Sequence, residues 1–344
     1  MTVTGNEHSI PPQPSLSAVL PTLNRPVLLK RAVLSALRQT LKDIEVIVVL
    51  DGPDGEASRR ALSTISDTRL RVVALAAHRG PNTARNAGIA RARGKWIALL
   101  DDDDEWFPRK LEAQLEAARR SVHRYPVVTC QMIHRMPGAD FIHPRRLPYP
   151  GEHISDYLYS RQGLPHSEGF AQIGSMVMAP RDLFLAVPFD ERYTSDVDWL
   201  LRAFCVEGAG LEMVHETLVV WNDDEDRSRV SLRGRNWLDP YEWVCRRRRF
   251  FTPRAYAAFI MGAVSGYASK THRPGVFRKL YREAVTHGRP SLIDHLVFFY
   301  IWFIPESLRH RIRRFLLGQT STLKWWGGES KVLKRNPDGK PCEF

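Results

Sequence analysis

Residues 96–105, WIALLDDDDE, join a short apolar run directly to a run of acidic side chains. The apolar part is typical of a buried strand. Carboxylates this close together repel one another unless protons or a cation neutralise them. Oxygen ligands suit a hard cation such as Mg²⁺ or Mn²⁺. The run therefore predicts either a metal site or the first turn of a helix opened by Pro108, where carboxylates favour the positive end of the helix dipole.

Apolar runs of this kind recur along the first hundred residues, separated by segments with helical spacing. Strands are predicted at 16–20, 44–50, 71–75 and 96–100. Their alternation with helices indicates an α/β fold with an open, mostly parallel sheet. Such sheets bind ligands beyond the carboxyl ends of their strands. The polar segments that follow the strands are therefore the candidate site: 22–25, 51–54, 78–85 and 101–104.

The two ends of the chain differ from this central part. Residues 1–14 are polar and contain three prolines, and we expect a disordered leader. Residues 15–238 carry the predicted sheet, and 239–344 are predicted to be helical and basic. The net charge of +12 suits nucleic acid, anionic lipid or a phosphorylated substrate. Since no nucleic-acid recognition motif accompanies the charge, we expect no nucleic-acid partner.

Cysteine usage and the start of the chain predict a cytoplasmic protein. The four cysteines are scattered without a C-x-x-C pair, which disfavours thiolate metal sites and a disulfide scaffold. Free thiols in a reducing compartment are the simplest interpretation. The N-terminus lacks a basic start followed by an apolar core, so we expect no signal peptide.

Residues 292–317 combine an apolar segment with a basic one. Leu292–Ile304 is strongly apolar but too short to cross a bilayer, which takes about 20 residues. A short helix with one apolar face and several arginines is predicted after Pro305. Two interpretations stay open. The segment contacts the inner face of the cell membrane as a basic amphipathic element, or it is a core helix packed on the sheet domain.

Four segments of the chain, taken together, resemble a known family. They are AVLPTLNRPVLLKRAVLSALRQT at 18–40, IEVIVVLDGPDG at 44–55, GPNTARNAGIARARGKWIALLDDDDEWFPRKL at 80–111 and VPFDERYTSDVDWLLRA at 187–203. In this order and spacing they resemble family-2 glycosyltransferases of the GT-A fold. The resemblance covers roughly the first 230 residues. It implies a Rossmann-like, mostly parallel open sheet flanked by helices, followed by a C-terminal helical extension.

The resemblance places the D-x-D element of the family on the acidic run. It implies that Asp103 is the main ligand of Mn²⁺ or Mg²⁺, with Asp101 or Asp102 near the metal or the ribose. Magnesium usually takes one or two carboxylates, and substrate phosphates supply further ligands. A second acidic run, Asp223–Asp226, is the main rival for the metal. We rank it lower because the segments around it match the family less well.

The same resemblance assigns the nucleotide end of the site. Thr22, Asn24 and Arg25 are expected to line the nucleobase, and Asp51 to accept a hydrogen bond from the base or ribose. Arg85 is expected to bind the diphosphate, since a helix N-terminus and a guanidinium both attract phosphate oxygens. A plainer interpretation stays open for each: Asn24 belongs to a capping turn, Asp51 is a turn aspartate, and Arg85 is a surface arginine.

The catalytic base is expected in FDERYTSDVDWLLRAF, residues 189–204. By resemblance Asp196 matches the usual base and Asp198 the second acid. The alternative is a plain helix N-terminus, with Ser195 as the cap and both acids in the first turn. A carboxylate base deprotonates the acceptor hydroxyl as it attacks. The configuration of the sugar then inverts, without the covalent intermediate of a retaining glycosidase.

These expectations combine into one function. The chain is expected to be a metal-dependent, inverting glycosyltransferase that moves a sugar from a nucleotide-diphosphate sugar to a saccharide or lipid-linked acceptor in cell-surface polysaccharide or glycolipid biosynthesis. A UDP-sugar is the expected donor, although Leu23 replaces an aromatic residue often found in the family. The alternatives are a catalytically inactive nucleotide-sugar-binding protein of the same fold and a nucleotidyltransferase. A dinucleotide dehydrogenase is excluded by the missing G-x-G-x-x-G element.

Overall fold

The computed structural model describes residues 13–136, 139–144, 146–161, 174–193, 196–222, 236–305 and 308–309. Most of the leader predicted at 1–14 lies outside these ranges, as do Ser195 and the second acidic run, Asp223–Asp226. Most of the basic helix predicted after Pro305 also lies outside them.

The first half of the chain forms parallel strands with helices between them. The strands are β1 (Leu16–Thr22), β2 (Ile44–Leu50), β3 (Leu70–Ala74) and β4 (Trp96–Leu99). The helices are α1 (Pro26–Leu37), α2 (Glu56–Leu62) and α3 (Pro81–Arg91). The strands pair in the order β3-β2-β1-β4, which confirms the predicted alternation. Every residue of β2 is buried, as expected for a parallel strand that is covered on both faces.

Beyond β4 the sheet becomes mixed. Its further strands are β5 (Glu105–Trp106), β6 (Tyr125–Met136), β7 (Ala139–His143), β8 (Met178–Pro180) and β9 (Ala209–Asn222). β8 runs antiparallel to β4 and β6, β9 runs parallel to β6, and β5 runs antiparallel to β9. The complete order is β3-β2-β1-β4-β8-β6-β9-β5, with β7 beside β6. The predicted α/β class is confirmed, but the sheet is mixed rather than mostly parallel, because antiparallel pairs dominate its second half.

The helices of this second half settle one alternative for the acidic run. They are α4 (Lys110–Arg120), α5 (Ile154–Tyr159), α6 (Arg181–Ala186) and α7 (Asp196–Ala203). Strand β5 separates the acidic run from α4, and Glu112 is the acidic residue in the first turn of that helix. The interpretation of the run as the first turn of a helix is therefore wrong. Its carboxylates lie at the carboxyl end of β4 instead.

The C-terminal helices pack on one face of the sheet. They are α8 (Leu238–Arg247), α9 (Pro253–Phe259), α10 (Ser265–Ala268), α11 (Pro274–His287) and α12 (Leu292–Phe303), with a π-helical turn at Ile260–Val264 between α9 and α10. Tyr256 and Phe298 share a core with Val19 of β1. The next residue of β1, Leu20, belongs to the core on the opposite face, together with Leu111 of α4. Alternate side chains of a strand point to opposite faces, so the sheet separates two cores.

Candidate active site

The carboxyl ends of β1, β2 and β4 meet at one edge of the sheet, because these strands are parallel neighbours. Thr22 ends β1 and donates a hydrogen bond to Asp102 Oδ2 over 2.6 Å. Arg25, three residues later, donates to Asp102 Oδ1 over 3.2 Å. The turn after β1 and the acidic run after β4 are therefore joined directly.

The acidic run alternates between buried and more exposed carboxylates. Asp102 and Asp104 are buried, whereas the side chains of Asp101 and Asp103 are 27% and 17% exposed. Burial raises the pKa of Asp102 to about 6 and the pKa of Asp104 well above its usual value. Ser175 donates to Asp104 Oδ2 over 2.5 Å and accepts from the Asp101 backbone N–H over 3.0 Å. Asp101 and Asp103 are therefore the less buried carboxylates of the run.

Two arginines from the start of the chain partly neutralise the run. Arg25 Nη1 lies 3.2 Å from Asp103 Oδ2. Arg31 of α1 donates to the Asp103 carbonyl over 3.0 Å, and its Nε lies 3.2 Å from Glu105 Oε1. Opposite charges at these distances stabilise ionised carboxylates. The charge of the run is thus compensated on the α1 side.

Arg85 of α3 connects the acidic run to α7. Its Nη2 donates to Asp101 Oδ1 over 2.7 Å and its Nη1 donates to Asp196 Oδ1 over 2.6 Å. The side chain is only 5% exposed and also donates to Asn82 Oδ1 over 2.9 Å. The interpretation of Arg85 as a surface arginine is therefore wrong. Its guanidinium lies inside the site, with both of its terminal nitrogens on carboxylates.

Asn82 holds the segment that leads into α7. Its side-chain amide donates to the carbonyls of Asp190 and Tyr193, which precede the helix. One turn along α3, Asn86 exchanges two hydrogen bonds with the Phe189 backbone, each 2.9 Å long. Helix α3 therefore positions both Arg85 and the segment that leads to Asp196.

Asp196 lies in the first turn of α7 with its side chain 15% exposed. Burial raises its pKa to about 6, while the charge of Arg85 works in the opposite direction. The Gly174 backbone also donates a hydrogen bond to it. A pKa near 6 keeps the carboxylate ionised at neutral pH and still able to take a proton, which is what a general base requires.

Gly174 is a site residue that the sequence did not reveal. A Cβ atom at this position would lie 2.4 Å from Asp101 Oδ2 and 3.5 Å from Asp196 Oδ2. The backbone therefore passes between the two carboxylates at a distance that only glycine permits. No pattern around residue 174 pointed to this role. Its signal is purely spatial.

Asp198, two residues after Asp196, faces away from Arg85. Its side chain is 3% exposed and accepts from Arg202 Nε over 2.7 Å, from Arg247 Nε over 2.6 Å and from Trp243 Nε1 over 3.0 Å. Arg247 also reaches Asp190 Oδ2 over 2.6 Å. Asp198 therefore ties α7 to α8 of the C-terminal region.

A separate pocket opens between the ends of β1 and β2. Asp51 is buried there, and its carboxylate accepts from the backbone N–H groups of Arg79 and Gly80 over 2.8 and 3.0 Å. Asn24 has a φ of +50°, which turns the chain after β1. The pocket is lined by Thr22, Leu23, Asn24, Leu50, Asp51, Gly52, Asp54, Gly55 and His78.

His78 received no role from the sequence, although it lies in a segment after a predicted strand. Its ring packs over Gly52, where an added Cβ would come within 2.3 Å of Nδ1. Nε2 lies 3.0 Å from Asp54 Oδ2. The hydrogen bond with Asp54, followed by the one with the Asp51 carbonyl, raises the pKa of His78. The ring of His78 thus lines the same pocket as Leu23.

Comparison with known proteins agrees with this geometry. The family model described as Glycosyl transferase family 2 matches residues 17–185. An uncharacterized glycosyltransferase of Rickettsia prowazekii is 30% identical over 234 residues, which are 67% of this chain and 70% of that protein. The chain belongs to glycosyltransferase family 2. The resemblance to this family found in the sequence is therefore confirmed.

Other relatives of this family-2 glycosyltransferase match over shorter lengths. The succinoglycan biosynthesis protein ExoO of Rhizobium meliloti is 41% identical over 113 residues, 33% of this chain and 32% of ExoO. This chain thus spans about a third of that relative. Among solved structures, S. aureus TarS 1–349 in complex with UDP-GlcNAc aligns with 96% of this chain and 99% of that chain, at 16% identity and a TM-score of 0.49.

The structure divides the predicted site residues of this glycosyltransferase into three groups. Thr22, Arg25, Asp102 and Asp103 form one hydrogen-bonded cluster. Arg85, Asp101 and Asp196 form a second, joined to the first through the acidic run. Asn24 and Asp51 line the neighbouring pocket, and Asp198 lies on the far side of α7.

The carboxylates of the site suit a cation that takes its remaining ligands from a substrate. Within the described ranges, no group of three or more His, Cys, Asp or Glu side chains converges as an all-protein metal centre. The carboxylates of Asp101 and Asp103 are nevertheless partly exposed. Mg²⁺ usually takes one or two carboxylates and completes its shell with water and phosphate oxygens. The residues present therefore fit a diphosphate-associated cation.

Proposed function

We propose that this family-2 glycosyltransferase is an inverting enzyme that moves a sugar from a UDP-sugar to an acceptor hydroxyl. The observation that carries the proposal is the double ion pair of Arg85 with Asp101 and Asp196. It links the D-x-D aspartate, on the side of the donor diphosphate, to the candidate base on the side of the acceptor. One buried guanidinium thus holds the two halves of a transfer site together.

Asp196 is the proposed general base. Its raised pKa, about 6, and its partly exposed carboxylate suit the removal of a proton from an attacking hydroxyl. A base on the far side from the leaving diphosphate gives a single in-line displacement, so the anomeric configuration inverts. A double displacement would need a protein nucleophile at the anomeric carbon as well.

Asp103 and Asp101 would hold Mn²⁺ or Mg²⁺ beside the diphosphate. Bound there, the cation would neutralise charge on the departing diphosphate. Arg25 lies 3.2 Å from Asp103 and is placed to contribute positive charge on the same side. The nucleobase is proposed to lie over the small pocket next to it, which Leu23 and His78 line.

The proposed acceptor is a saccharide, free or lipid-linked, in cell-surface polysaccharide or glycolipid biosynthesis. The relative ExoO, named for succinoglycan biosynthesis, supports a polysaccharide role. A lipid-linked acceptor would place the enzyme on the inner face of the cell membrane. No helix within the described ranges has the length and apolar character needed to cross a bilayer.

Calorimetric titration tests the donor site. UDP, GDP and dTDP are each titrated with and without Mn²⁺ into the native chain, Asp103→Asn and Asp182→Asn. Asp182 is an exposed aspartate of α6 and serves as the matched control. We expect metal-dependent UDP binding in the native chain and the control, and its loss in Asp103→Asn. If no nucleotide binds under any condition, the donor site is wrong.

Turnover tests the remaining alternatives. Slow release of UDP from a UDP-sugar, with water as the acceptor, is expected for the native chain. A catalytically inactive binding protein would bind UDP without releasing it from a sugar. A nucleotidyltransferase would release pyrophosphate from a nucleoside triphosphate instead. Either result would overturn the proposed transfer reaction.

A further inference from the structure

Helix α12, LIDHLVFFYIWF, is apolar on nearly every side. Phe298 is buried in the core that covers one face of the sheet, and its neighbour Val297 is also buried. The prediction of a core helix is correct for this side of α12. A helix that is apolar all round normally lies within a protein core or a membrane. The opposite side of α12 therefore requires a separate explanation.

That opposite side carries five exposed apolar residues, which we call the apolar stripe. The most exposed are Leu292 at 76%, Phe303 at 68% and Leu296 at 52%. The positions repeat at helical spacing, so these side chains share one face. The apolar stripe consists of Leu292, Leu296, Phe299, Tyr300 and Phe303.

The apolar stripe belongs to a well-packed helix. Ser291 and Asp294 form a capping box that fixes the start of α12. Phe277 of α11 packs against Phe298 with ring centroids 5.0 Å apart and against Phe303 at 5.7 Å. The stripe is thus a fixed surface, and burying it requires a partner that comes to it.

Exposed arginines lie on α11, the helix that packs against α12, and in the connection between the two helices. Phe277 and Tyr281 face α12, and the residues that follow each of them, Arg278 and Arg282, are exposed. One residue corresponds to a turn of about 100° around a helix, so both arginines lie on the solvent-exposed side of α11, beside the face that contacts α12. Arg289, in the connection to α12, is also exposed. The acid of α12, Asp294, is buried in the capping box.

We propose that the apolar stripe, with Arg278, Arg282 and Arg289, docks on the surface of an anionic lipid bilayer. Helix α12 would lie in the plane of the interface, with Leu and Phe side chains among the acyl chains and the arginines on lipid phosphates. This deepens the proposed function by naming the surface on which a lipid-linked acceptor is met. Lipid binding is measurable without turnover, so either proposal can fail alone.

Charge favours lipid over two other occupants. A second copy of the chain would bring two sets of arginines together, and like charges across an interface disfavour association. Residues 310–344 contain eight Lys or Arg against three Asp or Glu, so this segment is also basic. An anionic membrane complements the arginines and that segment alike.

Cosedimentation of the full chain with vesicles tests the proposal. The vesicles contain phosphatidylcholine alone or phosphatidylcholine mixed with phosphatidylglycerol. We expect binding to the mixed vesicles that weakens as salt is added, because salt screens the arginines. Leu296→Ser/Phe303→Ser should lower the partition coefficient about tenfold or more, since two apolar side chains no longer enter the bilayer. Arg278→Glu/Arg282→Glu should lower it by at least about fivefold per arginine.

Matched controls lie elsewhere on the molecule. Val122→Ser/Leu185→Ser removes exposed apolar side chains outside the stripe. Arg119→Glu/Arg120→Glu reverses exposed charges on α4, which packs on the opposite face of the sheet. Both should partition like the native chain. UDP binding by every variant, measured in parallel, reports whether the fold and the donor site are intact.

Three results would overturn the proposal. The native chain could remain in the supernatant with both kinds of vesicle, as expected if residues 310–344 cover the stripe. The stripe variants and the control variants could partition equally. Finally, a dimer in solution that Leu296→Ser/Phe303→Ser converts to a monomer would assign the stripe to a second copy of this chain.

Discussion

Asp196 and Asp198 lie two residues apart on α7, yet their carboxylates have different hydrogen-bond partners. On one side, Asp196 is 15% exposed and faces Arg85 and, beyond it, Asp101. On the other side, Asp198 is 3% exposed and accepts hydrogen bonds from three side chains. A carboxylate surrounded by donors holds elements together, whereas a less covered carboxylate beside an open site can exchange a proton.

The largest expected effect on turnover comes from Asp196→Asn, because an amide cannot accept the proton of the acceptor hydroxyl. Loss of a general base typically lowers the rate by about 10²- to 10⁴-fold. We expect a loss of kcat in this range, with UDP binding close to that of the native chain. A variant that keeps more than a tenth of the native kcat would show that the base lies elsewhere. Asp196 and Asp198 would then not differ in catalytic role.

Replacement of Arg85 should have the next largest effect. Arg85→Gln removes the charge that both Asp101 and Asp196 face, and loss of one such electrostatic contact at a reacting centre costs about 10²-fold or more. Arg85→Lys keeps the charge but cannot contact both carboxylates in the same way. It should recover only part of the loss.

The pH profile separates this role from a purely structural one. Asp196, with a pKa of about 6, loses its function as a base when pH falls through 6 and the carboxylate becomes protonated. Arg85 lowers that pKa, so Arg85→Gln should move the acidic limb of kcat/KM, which reports pKa values of the free enzyme, to higher pH. If the rate falls and the acidic limb does not move, Arg85 supports the reaction without changing the pKa of Asp196.

A smaller effect is expected from Gly174→Ala. The new Cβ would lie 2.4 Å from Asp101 Oδ2 and must displace that carboxylate. Small displacements at a reacting centre cost roughly 10- to 100-fold in kcat/KM. Gly266→Ala is the matched control, since a Cβ there meets nothing within 4 Å. Equal activity of the two variants would show that the position of Asp101 does not limit the reaction.

The sequence predicted the parts of this molecule that depend on neighbours along the chain. The strands of the first half appear as apolar runs, and Asp101–Asp104 lies at a strand end as predicted. The parts that depend on distant segments were not predicted. Gly174 is defined by its approach to Asp101, 73 positions earlier in the sequence. The mixed half of the sheet likewise depends on pairing between β6 and β9, which lie far apart in sequence.

The two aspartates of α7 show the same limit. Both fit an acidic helix start, and the sequence assigned both to catalysis. Their partners separate them, and these come from α3 for Asp196 and from α8 for Asp198. Arg247 belongs to Arg246–Arg249, a run of four arginines in the basic C-terminal region. Its contacts with Asp190 and Asp198 show that one member of this run is internal.

The smallest effect on turnover, and the sharpest test of the comparison, is expected from Arg247→Met. Removal of one partner from a buried ion pair destabilises a protein by about 3 kcal/mol or more, because Asp198 keeps its charge and loses a donor. We therefore expect a lower Tm, with kcat within about threefold of the native value at temperatures where the variant is folded, since Arg247 touches neither Asp196 nor Arg85. Arg246→Met is the matched control, because Arg246 is 63% exposed and its ion pair with Glu242 contributes little. If Arg247→Met instead abolished kcat without lowering Tm, Asp198 would act in the reaction, and both aspartates of α7 would be catalytic.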